Sequence, residues 1–381
     1  MQLSIWERES FFSDKDVLII GSGFAGLWTA YEIRKRKPSW TIGVIDRGII
    51  PAGASTRNAG FSCFGSLSEL IADVKQMGEE NMLQLVEMRF NGLKKIRNTF
   101  SNRVIDYENL GGYELFEEQG SYDPTQLEKD SKYLNKLLRK VVREDKTFRL
   151  ADKKIKKFGF DGISRLVENK LEGQLHSGKL TQALVRHLQK KGVDFLFGIE
   201  AGSYEKTADS ISISTNHSFS LSAERLVICT NAFTDKLIPA LEVTPARGQV
   251  LVTSEIPDLK IKGSFHYDEG YYYFRNLGNR ILLGGARNKF FEEERTTSLQ
   301  TSTNIQSELE RFLQQLILPH QNGYTIDHRW SGTMGMGKEK KPAIMELDEN
   351  VFCAVAMGGI GVATAPIVAE QVADLMLKKK R

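Results

Sequence analysis

Cysteine is scarce in this chain and nowhere clustered. Cys63, Cys229 and Cys353 are the three thiols among 381 residues, and no CxxC pair occurs. That spacing argues against a disulfide framework or a cysteine-built zinc site and fits a reducing compartment. The six histidines are scattered, so there is no metal-spaced cluster and no Cys/His pair, and a GxSxG elbow is also missing. Neither sign of charge dominates. Lys and Arg number 52 against 48 Asp and Glu, a formal net charge of +4, which demands no polyanionic partner. The basic runs Lys153–Lys157 and Lys378–Arg381 read as solvated surface. The opening MQLSIWERESFF carries charges where a secretory signal needs an apolar run. Long apolar stretches are lacking except for Val351–Ala369. Gly358, Gly359, Gly361 and Pro366 in that window favour a buried strand, a glycine turn and a core helix over a membrane span. The expectation is a cytoplasmic protein.

What is present points to an α/β protein too long for one ordinary core. Asp16–Ile20 reads as a fully buried parallel strand, Phe24–Lys37 as a helix stopped by Pro38, and Thr41–Asp46 as the next strand. Helical stripes fill Ser66–Phe100, and a polar helix is expected over Pro124–Val142. Residues 143–172 are charged and irregular and suggest no element. A helix over Leu175–Lys191 and strands at Val193–Phe197 and Leu226–Thr230 follow. From Pro245 to Asn288 the alternation is that of an antiparallel sheet, with NLGNR as a hairpin turn. A helix near Thr303–Leu316 precedes the C-terminal block. The order of segments implies interleaved domains: 1–84, 173–238 and 325–381 in a Rossmann-like nucleotide part, 85–172 and 239–324 in a substrate part built on the antiparallel sheet.

GSGFAG at Gly21–Gly26 is a GxGxxG in its required setting, after a strand and opening a helix. Gly21 permits the tight turn, Gly23 the approach of a pyrophosphate, and Gly26 close helix–strand packing, with the first turn through Phe24 and Ala25 offering amides to phosphate. Asp46 ends the second strand, where a carboxylate accepts from ribose hydroxyls, and Arg47 follows it. The turn alone does not separate NAD from FAD.

Later segments do so by resemblance. GASTRNAGF (Gly53–Phe61) resembles the loop after the second strand in the D-amino-acid oxidase superfamily, more narrowly its glycine oxidase, sarcosine oxidase and γ-glutamylputrescine oxidase branch. GQLHSGKL (Gly173–Leu180), LVICTNAF (Leu226–Phe233), PARGQV (Pro245–Val250) and the block from Trp330 through Gly358-Gly359-Ile360-Gly361-Val362 are similar to that branch in the same order. The resemblance implies noncovalent FAD, with Ser55, Thr56, Arg57, Asn58, Ala59, Gly60, Thr230, Asn231, Trp330 and the 358–362 turn beside it. It also implies oxidation of a C–N bond of a small amine or amino-acid derivative, by hydride transfer to the flavin and hydrolysis of the imine. Oxygen or a quinone-type acceptor would take the electrons. An RNA-modifying flavoprotein acting on a tRNA base, an NAD-dependent dehydrogenase, and a flavin-binding protein without turnover are the alternatives. Of these, nucleic acid has only scattered basic runs in its favour.

Departures from the branch narrow the substrate. Arginines that the branch uses for a carboxylate are replaced in Thr333-Met334-Gly335 and at Ile360, and an oxygen-directed lysine corresponds to Leu282. Cys63 matches no flavin-attachment position and reads as a bystander. In the substrate sheet, alternation puts Tyr271, Tyr273 and Arg275 on one face and Tyr272 and Phe274 on the other. Arg287 is the candidate partner for a substrate carboxylate, since a guanidinium suits bidentate binding; Tyr273 and His266 complete the catalytic candidates.

Overall fold

The computed structural model describes residues 2–117, 122–123 and 125–378. Two sheets organise it. A six-stranded sheet runs in the order Ala343–Asp348, Val351–Val355, Leu226–Ile228, Val17–Ile20, Ile42–Asp46, Val193–Phe197. Its pairings are parallel except for the outermost hairpin at 343–355. Val17, Leu18 and Ile19 are buried on both faces, as the continuous apolar run requires when helices cover a parallel sheet on each side. One layer consists of the helices Phe24–Arg36, Ser177–Lys190 and Gly361–Leu377, packed around Trp28, Leu184 and Val368. The other side is covered by an antiparallel meander, Ala201–Lys206, Ile211–Thr215 and Ser220–Ala223. The sequence reading missed this meander, because its strands are short and largely polar.

The second sheet has eight strands, in the order Ile326–Met336, Thr244–Thr253, Arg280–Gly285, Tyr272–Leu277, Ser264–Tyr267, Gly112–Glu117, Ile163–Asn169, Phe148–Leu150. The long strand Ile326–Met336 bonds along Thr244–Thr253 and so leads from this sheet into the C-terminal block. Residues 143–172, which gave no sequence signal, supply the last two strands of this sheet, with Phe148–Leu150 at its edge, and two short helical turns; Lys154 of the basic run pairs with Glu168 at 2.7 Å. The other basic run, Lys378–Arg381, lies outside the described residues except for Lys378. So does Pro124, where the polar helix was expected to begin; the helix itself covers Leu127–Val142.

Alternation along Tyr272–Leu277 holds. Tyr272 and Phe274 enter the core on one face, where Phe265 and Phe274 stack at 4.7 Å, a geometry worth roughly 0.5–1.5 kcal/mol beyond its buried area. Tyr273 faces the other side. Tyr271 departs from the expectation: it precedes the strand, in a turn where Asp268, Glu269 and Gly270 all have positive φ, and packs with the Phe274 side. The helix Leu67–Thr99 bends at Gly78, whose φ of 83° interrupts the helical backbone. Val351–Ala369 resolves into a buried strand, a turn and the start of the last helix. Among the described residues no helix is long and apolar enough to cross a membrane.

Candidate functional site

The predicted residues converge where the two sheets meet. Gly21 has φ 106°, and a Cβ there would stand 2.7 Å from the Cys229 carbonyl oxygen. A Cβ on Gly26 would collide with the carbonyl of Gly21 itself, so strand, turn and helix close up only with glycine at both positions. Asp46 organises the seat. Its Oδ2 accepts from the Ser22 amide at 2.8 Å and the Ser22 hydroxyl at 2.6 Å, and its Oδ1 accepts from Gly48 at 2.8 Å. A carboxylate offers about four acceptor positions, so one stays free for a ribose hydroxyl. Ser55 caps the helix Phe24–Arg36, accepting from the Phe24 amide at 2.8 Å. Arg47, next to Asp46, is exposed, and its guanidinium lies 3.8 Å over the Phe233 ring.

The loop Gly53–Phe61 is held mainly by its own polar groups. The Asn58 amide donates to the carbonyls of Ala54 and Ser55, while its Oδ1 accepts from Gly60 and from the Ser177 hydroxyl. Thr56 donates to Pro51 at 2.7 Å. Arg57 donates to Ala52 and to Ser331, and its carbonyl accepts from the Trp330 indole at 2.9 Å. These side chains shape a backbone bed. Ala59 joins Val250, Val252 and Leu282 in a small apolar cluster, flanked by Phe61, Tyr273 and Trp330.

The C-terminal turn closes the opposite wall. Asn231, at φ 47°, accepts from the Met357 amide at 3.2 Å, and Gly358 donates to Gly335 at 3.0 Å. Thr230 shares a hydroxyl contact of 3.1 Å with Thr234 and steadies that turn. The helix Gly361–Leu377 begins there with Ile360 as its cap, and the amides of Gly361 and Val362 have no intrahelical acceptor. With the helix dipole they form an anion-favouring end. Gly359 faces Met334, whose sulfur would be 3.9 Å from an added Cβ.

Of the catalytic candidates, Tyr273 lies across from Gly248, where an added Cβ would be 3.6 Å from its hydroxyl. Burial pushes the Tyr273 phenol up to about 12, against the opposing charge of Arg287. Arg287 is half-buried, with its guanidinium 4.9 Å over Phe291. His266 is buried; its ring meets Phe61 edge-on at 5.2 Å, and burial drags its pKa down to about 4, so it is neutral at pH 7. Cys63 is buried and its thiol is pushed well up, first by burial and then by the charges of Glu172 and Glu69. Such a thiol is a poor nucleophile.

Two buried acids behind the loop gave no sequence signal, because isolated glutamates in polar segments look solvated. Glu172 accepts from the Phe64 amide at 3.0 Å and lies 4.0 Å from His266 Nε2. Glu114 accepts from Ser66 at 2.9 Å and from both the amide and the hydroxyl of Ser68. Burial pushes Glu114 up to about 7 and Glu172 up to about 8. The folded chain therefore binds protons that the unfolded chain has released, and the stability this confers is complete below about pH 4.5 and is lost as pH rises through 7 to 8. Urea unfolding should show a Glu172→Gln variant gaining on the wild type between pH 5 and pH 8.5; equal pH dependence in the two proteins would refute the assignment.

The nucleotide seat, the glycine bed and the helix end fit a dinucleotide with a ring system lying between the sheets. Known proteins agree. A family model described as DAO, FAD dependent oxidoreductase, matches residues 16–375. The bifunctional protein ThiO/ThiG of Trichormus variabilis is 25% identical over 214 residues, 55% of this chain and 31% of that protein; the match thus spans under a third of the relative's length. L-proline dehydrogenase from P. horikoshii superposes with a TM-score of 0.77 at 18% identity, covering 97% of this chain and 95% of that one. Glycine oxidase from Bacillus cereus gives 0.74 at 17% identity, with 97% and 98% covered. The likeness in fold to both structures runs over nearly the whole chain, and with the family model spanning nearly every residue the chain belongs to the FAD dependent oxidoreductases of the DAO type and takes FAD as its cofactor.

Proposed function

We propose that the protein oxidises a C–N bond of a small amine or amino-acid derivative to an imine, which water then hydrolyses. Bound FAD supplies the electron-accepting ring that takes the hydride equivalent from the amine-bearing carbon. One observation carries the reading: the apolar cluster of Ala59, Val250 and Leu282 packs with Tyr273, whose hydroxyl lies across from Gly248 beside Met334. Gly359 of the closing turn also faces Met334, and the half-buried cation Arg287 acts on the Tyr273 phenol. Such a wall positions a neutral amine and excludes water, which this oxidation needs more than an acid–base pair. The relatives' names are consistent with amine chemistry. The residue ranges 1–84, 173–238 and 325–381 would hold FAD, and 85–172 and 239–324 the substrate.

Arg287 would bind a substrate carboxylate, and Leu282, standing where the resemblance places an oxygen-directed lysine, favours a quinone-type acceptor over oxygen. An anaerobic panel of secondary amines, D- and L-amino acids and N-methyl amino acids, scored by bleaching of the yellow protein, tests the reading. No bleaching by any amine would end it. For a carboxylate-bearing substrate, Arg287→Met should raise KM on the order of tenfold, the equivalent of about 1.4 kcal/mol, with kcat for uncharged amines unchanged. Equal losses on both substrate types would move the carboxylate elsewhere.

A further inference from the structure

Among the described residues, Arg275 is a buried cation with no carboxylate in salt-bridge contact. It is 6% exposed, on the strand Tyr272–Leu277, two residues from Tyr273 on the same face and opposite Leu282. Among the described residues its Nε has no hydrogen-bond partner, and its Nη2 donates only a long bond, 3.4 Å, to the Leu175 carbonyl. The carboxylate acting on it from a distance, Glu108, is solvent-exposed and engaged by Gln174 at 2.6 Å. Burial lowers the guanidinium to about 10, which leaves it charged at pH 7. Burying an unpaired charge costs several kcal/mol, so a fold that keeps one invites an anion from outside the chain.

The direction of the guanidinium narrows that anion. The Leu175 carbonyl oxygen at 2.3 Å and the guanidinium Nη2 at 3.0 Å from where a Cβ on Gly60 would be both close on that residue, and Gly60, at φ 73°, has no side chain to hold the guanidinium away from the loop bed. The pyrophosphate already has a seat at Gly21–Gly26. A substrate carboxylate has the half-buried Arg287 nearer the solvent. What remains is FAD, whose ring would lie against the loop bed at Ala59 and Gly60 when bound. A hydride carries two electrons and one proton, so bound FAD would gain one negative charge for each substrate oxidised. The substrate carbon loses its C–H bond, the nitrogen lone pair forms the C=N bond, and the iminium carries the matching positive charge until it releases its N–H proton to water. We infer that Arg275 neutralises the negative charge on FAD through the glycine gap and thereby raises the reduction potential of the cofactor. The inference rests on the amine-oxidation reading above only for the source of the hydride.

The test is the two-electron midpoint potential of the FAD-loaded protein, measured by dye equilibration during chemical reduction. Arg275→Met should lower the preference for the reduced state tenfold or more, which is about 30 mV or more for a two-electron couple. Arg275→Lys, which retains the charge, should recover most of it. If Arg275→Met folds poorly, Arg275→Gln keeps a donor for Leu175. For a variant that sheds FAD, the ratio of its Kd values for oxidised and reduced FAD carries the same information. Neutral variants with the wild-type potential would make Arg275 a structural cation and overturn the inference. An unchanged potential with a raised KM for acidic substrates would assign it to the substrate. Because reduction by dithionite needs no amine, failure of the amine panel leaves this measurement intact.

Discussion

Gly26→Ala should yield a protein that purifies colourless. The added Cβ would overlap the Gly21 carbonyl and come within 3.3 Å of Ile19. The first obstacle is backbone, so no side chain can turn aside, and the helix Phe24–Arg36 must move off the strand Val17–Ile20. Overpacking of this kind costs about 1–3 kcal/mol. Here the displacement falls on the amides that face the pyrophosphate, so FAD affinity should drop about 5- to 150-fold. Gly53→Ala is the matched control. Its Cβ would meet nothing within 4 Å, and φ is −79°, so FAD retention should be that of the wild type. Titrating both variants with FAD and following flavin fluorescence separates the cases. A Gly26→Ala protein that holds FAD as tightly as the Gly53→Ala protein would show that the seat lies elsewhere.

The contrast between these two glycines shows what sequence carried and what it did not. Spacing assigned distinct tasks to Gly21, Gly23 and Gly26, because a strand–turn–helix imposes the same steric demands in any chain. Asp46 was equally legible, since its place at a strand end follows from the parallel pattern. Asn58 and Asn231 were expected beside the cofactor from the resemblance, but only the structure reveals that Asn58 spends its side chain on Ala54, Ser55, Gly60 and Ser177, and Asn231 on the Met357 amide. Arg275 was visible in the alternation of its strand, yet its missing partner depends on which loop covers that face. Glu114 and Glu172 are buried by elements 46 to 108 residues away in sequence, and no local pattern reports burial of that origin. The strands at 148–150 and 163–169 were illegible for a related reason: Ile163–Asn169 is fixed by pairing with Gly112–Glu117, and Phe148–Leu150 by pairing with Ile163–Asn169 in turn, not by an apolar alternation of their own.

Long-range pairing also sets the second large effect. Glu294→Gln should destabilise the protein by about 3–5 kcal/mol, the usual result of removing one partner from a buried ion pair. Glu294 is 1% exposed and receives Arg247 at two points, Nε at 2.9 Å and Nη2 at 2.6 Å, along with the Gln249 amide at 2.8 Å. Arg247 sits on the strand Thr244–Thr253 and also donates to Gln300 at 2.7 Å. The pair therefore pins the segment 287–302, which carries Arg287 and Phe291, against the substrate sheet. Neutralising Glu294 leaves Arg247 buried and charged, whereas Arg247→Met with Glu294→Leu removes both charges together and should recover most of the loss. The urea midpoint should fall sharply in Glu294→Gln and return in the double variant. KM for the amine substrate should rise in both, because the segment beside the pocket loses its anchor. FAD retention in the double variant should stay at the wild-type level, since the nucleotide seat belongs to the other sheet. A Glu294→Gln protein unfolding at the wild-type urea concentration would mean that solvent or a neighbouring group already compensates Arg247.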